Sequence, residues 1–153
     1  METIATETHN LTVRDITLAD ADSIAELSGQ LGYKASTAEM SSRIRDILPL
    51  REGHAVLVAC RGDEVIGWVE TEVVRHLQSA PHALITGLVV KDSVRSLGVG
   101  KRLCTEVEQW ARRQQVSIVR VTSRSTRDGA HRFYLREGFT YTKTSLVFEK
   151  VLA

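Results

Sequence analysis

Residues 88–103 read LVVKDSVRSLGVGKRL, from Leu88 to Leu103. An apolar Leu-Val-Val run leads to Arg95, then to Gly98 and Gly100, then to the Lys101-Arg102 pair. Downstream, Val99, Leu103, Val107, Trp110 and Ala111 share one face of a helix about four turns long. The segment therefore reads strand, glycine loop, helix start. A helix start carries unpaired N–H groups and a partial positive charge, and so attracts phosphate. Glycines at 98 and 100 let an anion approach the backbone without a Cβ in the way, and Arg95, Lys101 and Arg102 add charge at the rim. A plain helix cap would use the same residues, and the nine from Arg95 to Leu103 alone do not choose.

Two familiar phosphate loops do not fit. A Walker loop needs a glycine where Arg95 stands and Ser or Thr where Arg102 stands. The dinucleotide fingerprint needs a third glycine at Leu103 and an acid about 20 residues on, where Arg120 and Thr122 lie. A third loop does fit. Arg95-Ser96-Leu97-Gly98-Val99-Gly100, the strand Leu88-Val89-Val90 before it, and Ala130-His-Arg-Phe133-Tyr134 followed by Gly138-Phe139 resemble the signatures of the GNAT N-acetyltransferases. The resemblance covers residues 12–152 in element order and is most specific from Ala83 to Phe139.

Outward from that stretch, Leu11–Ile16 reads as a strand, and Thr17-Leu-Ala-Asp20 opens a helix ending near Leu31. Ser36-Thr-Ala-Glu39 is a fuller capping box for a second helix, which Pro49 stops. HAVLVACR (54–61) and VIGWVETEVV (65–74) pair as a hairpin across Arg61–Glu64, and Ser79-Ala-Pro81 breaks the run. Ala83–Lys91 is a strand whose Leu-Val-Val core suggests burial on both faces. Ser117–Ser123 is a further strand, Asp128–Glu137 a short helix capped by Gly138, and 139–143 with 145–151 a final strand pair. The fold class is α/β in the α+β sense. The reading is a mixed, mostly antiparallel sheet of about six to seven strands with about four helices and splayed central strands. Residues 1–10 read as a flexible N-terminus and 11–153 as one domain.

Composition sets the frame. The chain has 153 residues, 42% hydrophobic and 25% charged, which suits one soluble domain with a real core. A net charge of +1 argues against a nucleic-acid or membrane-surface partner. There is no membrane-length apolar run, and METIATETHN lacks a signal peptide's apolar core, so the expected location is cytoplasmic. Cys60 and Cys104 sit in apolar patterns and read as reduced, buried residues; no Cys/His spacing suggests a metal site.

The resemblance implies an acetyl-CoA-dependent N-acetyltransferase acting on a small-molecule primary amine by direct attack in a ternary complex. It implies that Leu88, Val89 and Val90 hold the pantetheine arm and acetyl group in a gap beside the 117–123 strand. An N–H near Val89 would polarise the thioester, and Arg95, Ser96, Leu97, Gly98, Val99, Gly100 and Lys101 would hold the pyrophosphate. Ala130 and Phe133 belong to the cofactor-side signature. Arg127 stands where many relatives have asparagine, and either reaches phosphate or is exposed. Tyr134 is the proton donor to the departing thiolate. Many relatives carry a glutamate where Leu84 stands; Glu70 and Glu72, two apart on the preceding strand, are substitutes as base, with His82 a lesser candidate. Tyr33, Trp68 and Glu70 would line the acceptor pocket. A protein or peptide acetyltransferase and a non-catalytic CoA sensor are the alternatives, and the resemblance allows a homodimer.

Overall fold

The structure is a computed structural model describing residues 10–153; the expectation of a flexible N-terminus falls on residues 1–9, outside the described residues. The chain divides into two compact units, Met1–Thr122 and Ser123–Ala153.

The first unit is a five-stranded sheet in the order β1 (Leu11–Asp15), β2 (His54–Arg61), β3 (Glu64–His76), β4 (Ser79–Val90) and β5 (Val119–Val121). Neighbours are antiparallel except β4 and β5, which are parallel, so the expected mixed, mostly antiparallel sheet is what the chain forms. Four helices accompany it: α1 (Ala21–Gly29), α2 (Thr37–Ile47), α3 (Val99–Arg113) and, in the second unit, α4 (Asp128–Arg136). Alternation along the strands divides the core into two layers. Val56 and Val58 of β2 face one way and join Ile24 and Leu27 of α1 and Ile44 of α2. Ala55 and Val73 face the other way, beside Trp110 and Ala111 of α3. The stripe read from the sequence, Val99, Leu103 and Val107, is fully buried.

Both capping motifs form. Ser36 Oγ accepts the Glu39 N–H at 3.1 Å, and α2 starts at the next residue, Thr37. Asp20 closes a single 3-10 turn (Leu18–Asp20) ahead of α1 by accepting the Thr17 N–H at 2.8 Å. Its two carboxylate oxygens also take both Arg14 guanidinium NH2 groups at 2.8 Å each, which ties the entry of α1 to β1. Both cysteines are buried and unbridged, and burial pushes the Cys60 thiol up.

Several boundaries differ from the sequence reading. The β3–β4 turn is at Leu77-Gln78, and Ser79-Ala-Pro81 lies inside β4. Pro81 is tolerated because the ladder is irregular between Val74 and His76, so no partner needs its missing N–H. Of the Leu-Val-Val core, Val89 is buried while Leu88 and Val90 are only half-buried. β5 is three residues long rather than seven. A 3-10 segment, Asp92–Leu97, occupies the loop before Gly98. The final strand pair does not form: no residue from 139 to 153 joins a ladder. That accounts for five strands rather than six or seven.

Asp20 is almost fully buried, and the doubly hydrogen-bonded Arg14 holds its carboxyl below the usual carboxylate range against the opposing cost of burial. Its folded pKa is depressed, so its contribution is complete above the unfolded value of about 4 and is lost as pH falls through the lower folded value. Asp20→Asn should cost about 2 kcal/mol at neutral pH. It should also flatten the acid limb of stability against pH, as read by urea melts between pH 3 and 7.

Candidate active site

The site begins with a fault in the sheet. β4 pairs with β5 only at Ala83, Ile85 and the Leu84 between them, opposite Val119–Val121. At the next residue β4 bulges: Glu70 pairs with Gly87 and Thr71 with Ile85, which leaves Thr86 as the extra residue. Beyond it, residues 86–90 stay on β3 and have no β5 partner. The Lys91 N–H donates to Ile66 O at 2.8 Å, on the β3 side. By strand alternation, Leu88 and Val90 turn their N–H and C=O groups to the edge that β5 has left, and Val89 turns its own toward β3. An extended chain with amides of its own fits that edge.

At the end of β4 the chain makes the 3-10 segment and then turns at Gly98, whose φ of +75° is the left-handed region that favours glycine. The segment is anchored by the Asp92 N–H, which donates to Gln30 Oε1 at 3.0 Å. Helix α3 then starts with no side-chain cap and no acidic residue in its first turn. Its first main-chain acceptor, Gly98 O, receives the Arg102 N–H at 3.0 Å, so the N–H groups of Val99, Gly100 and Lys101 have no acceptor within the helix. The Arg95 guanidinium lies 2.5 Å from the Asp92 carboxylate, with both side chains more than half exposed. Lys101 is exposed, whereas Arg102 is drawn one turn down the helix to Glu106 at 3.0 Å. A helix start with no side-chain cap and no acid in its first turn, next to the exposed Arg95 and Lys101, has the groups to bind a diphosphate.

On the α1–α2 face of β3, Trp68, Glu70 and Glu72 alternate as expected. Trp68 lies over Gly87: a Cβ at residue 87 would stand 2.7 Å from the indole ring, so only glycine leaves room for it there. The indole Nε1 is buried and has no hydrogen-bond partner in the protein. Glu72 sits directly across the ladder from Leu84, and Glu70 across from Gly87. Both carboxylates therefore lie on the same face of the sheet as Leu84 and Gly87.

Sequence reasoning missed His54, at the start of β2. Its Nε2 is 2.8 Å from Glu70 Oε2 and its Nδ1 is 3.8 Å from Glu72 Oε2. The signal was there to use: a histidine heading a strand that pairs with the one bearing both glutamates. His82, in contrast, is buried and bonded through Nδ1 to Ala80 O at 3.0 Å. Tyr33 is half exposed in the α1–α2 connection, just after Gly32 with its φ of +81°. A shallow depression nearby, lined by Ala25, Glu26, Lys34 and Glu39 among others, includes neither Tyr33 nor the β3 carboxylates. Among the described residues no group of three or more His, Cys, Asp or Glu could hold a metal ion, and no helix is long and apolar enough to cross a membrane.

In the second unit, Arg127 is half-buried at the start of α4, followed by half-buried Ala130 and Phe133. Tyr134 is buried, its ring edge-to-face with Phe133 at 5.4 Å and with Phe139 at 5.7 Å between centroids. The helix ends at Gly138, φ +92°.

These elements define an acyltransferase class, and comparison with known proteins gives the same answer. Residues 21–139 match the acetyltransferase (GNAT) family, and the chain belongs to it. It is 29% identical over 146 residues to the aminoalkylphosphonate N-acetyltransferase of Salmonella typhimurium, covering 92% of this chain and 90% of that one. It is equally 29% identical to an aminoglycoside N(6')-acetyltransferase of Stenotrophomonas maltophilia, covering 92% and 94%. Its fold superimposes with a TM-score of 0.79 on an aminoglycoside N-acetyltransferase solved in complex with CoA, at 19% identity and with 92% and 94% of the two chains covered. The protein is a GNAT-type acetyltransferase that uses acetyl-CoA.

Because the indole fills the space above residue 87, Gly87→Ala forces Trp68 to move in the middle of the β3–β4 ladder. The expected cost is about 1–3 kcal/mol, measured by chemical denaturation. A red-shifted tryptophan emission should accompany it.

Proposed function

We propose that the chain transfers an acetyl group from acetyl-CoA to a primary amine of a small cationic molecule by direct attack in a ternary complex. The observation that carries this reading is the pair of carboxylates, Glu70 and Glu72, on β3, directly across the ladder from Gly87 and Leu84, where β4 passes from its β5-paired to its unpaired stretch. A cationic amine is drawn to them, and one of them can then relieve it of a proton. The names of two relatives, an aminoalkylphosphonate and an aminoglycoside N-acetyltransferase, each specify a small amine, which supports the class.

Acetyl-CoA brings an acyl carbon activated by its thioester. The Leu88 and Val90 main-chain groups hold the pantetheine arm, and one of their N–H groups, rather than that of Val89, donates to the carbonyl oxygen as charge develops on it. The α3 start from Gly98 to Lys101, with Arg95, takes the diphosphate. Glu70 accepts the proton that the amine must lose. His54, bonded to that carboxylate, holds it in place, and the more exposed Glu72 retains the cationic end of the acceptor. Trp68 floors the acceptor pocket, with Tyr33 at its rim. Tyr134 gives its phenolic proton to the departing sulfur, which suits a group that stays protonated at neutral pH.

The test is thiol release from acetyl-CoA with a panel of small amines, alongside CoA binding by calorimetry. Glu70→Gln should lower kcat/KM for the amine by about 10²-fold and leave CoA affinity within about twofold. Tyr134→Phe should lower kcat at saturating substrates by about tenfold or more. Wild-type rates in both variants would refute the assignment of base and acid. Thiol release that no amine stimulates would refute the acceptor class.

A further inference from the structure

His54 of β2, Glu72 of β3, Leu84 of β4 and Arg120 of β5 stand in one row across the sheet, each the register partner of the next. Register partners share a face. The residue before Arg120 agrees: Val119 packs on the other face, with Ala83 and Trp110. Arg120 therefore lies on the α1–α2 face, with the two carboxylates. It is half-buried and makes no side-chain hydrogen bond or ion pair among the described residues. Arg14 of β1, by contrast, gives both its NH2 groups to Asp20.

The acid in Arg120's own row does not serve it. Glu72 lies two strands away, about 10 Å between main chains, and turns instead to His54 at 3.8 Å. Half-buried Leu84 stands between the two charges. The row thus presents a carboxylate, an apolar step and a guanidinium, in that order, beside the point where β4 leaves β5. The five N–H donors of a guanidinium form a planar fork that matches a carboxylate or another oxyanion two bonds at a time. A ligand complementary to the row has an ammonium group, a short run of methylenes and an oxyanion. A plain alkylamine would leave Arg120 unmatched, and a diamine would set a second positive charge against it.

We propose that Arg120 anchors an anionic group on the acceptor, so that the amine acetylated belongs to a short amino carboxylate or amino phosphonate with its two charges at opposite ends. The inference rests on the reading of Glu70 and Glu72 as the amine's site and narrows it: the cationic part of the acceptor is its amine end. The anchor lies away from the reacting amine, so it acts on binding rather than on the chemical step.

The test measures thiol release from acetyl-CoA with γ-aminobutyrate, aminopropylphosphonate, butylamine and diaminobutane. The expected result is a kcat/KM for one of the two anion-bearing amines about tenfold or more above that for butylamine, gained in KM, with diaminobutane the poorest. Which of the two leads identifies the oxyanion. Arg120→Gln should remove the advantage by raising KM for that amine about tenfold or more, while butylamine turnover and CoA affinity stay within about twofold. Arg120→Lys should restore part of it, and Arg120→Glu should turn the preference to diaminobutane. Arg112→Gln, the same charge change at an exposed position of α3, should alter none of these. Circular dichroism of the variants verifies the fold. Butylamine or diaminobutane used as well as the anion-bearing amines, or a loss in Arg120→Gln shared equally by all of them, would overturn the proposal and leave acetyl transfer standing. If no amine stimulates thiol release, the acetyl-transfer reading fails separately, and calorimetry of the same amines on the CoA-bound protein decides the anchor. Tighter binding of an anion-bearing amine, lost in Arg120→Gln, supports it there, and equal binding overturns it. If Arg120→Gln unfolds the chain, the order of the amines on the unaltered protein decides.

Discussion

One extra residue in β4 governs the rest of the first unit. With Thr86 bulged out, the strand runs in register with β5 up to Ile85 and alone after it. A bulge adds local twist and ends pairing, so the amides of residues 88 and 90 are left without a partner on β5. In most sheets that is a defect to be covered. Here it follows a strand centre that is otherwise well buried, with Ala83 and Ile85 fully enclosed on one side of the bulge and Val89 nearly so on the other. The buried residues on either side hold that stretch of β4 in place, and its outward main-chain groups are of the kind an extended, amide-bearing chain can pair with.

The bulge also resets which side chains share a face. Without it, Gly87 and Leu84 would point to opposite sides of the sheet. With it, both lie on the α1–α2 face, opposite Glu70 and Glu72 respectively. The shared face of the acidic pair with Leu84 and Gly87 is thus set by a single irregularity. The start of α3 depends on a different constraint, the left-handed turn at Gly98, after which no acidic residue in the first turn and no side-chain cap competes for the helix's N–H groups. Arg95 is paired with Asp92 at the surface, where ion pairs are weak.

What could be read in the sequence was whatever repeats with a local period. The boundaries of β2 and α3 and the Ser36 cap came through because alternation, the 3.6-residue stripe and the capping box are local signals. The glycine loop and the Ala130–Phe139 stretch were legible as a family pattern. Two things were not. The bulge has no local signature, since Thr86 and Gly87 look like ordinary strand residues until pairing is known. The His54–Glu70 contact spans sixteen residues and exists only because β2 and β3 pair with His54 facing Glu72. The failure at the C-terminus has another cause. Residues 139–151 have the composition of strands, and composition reports the wish to pair without saying with what.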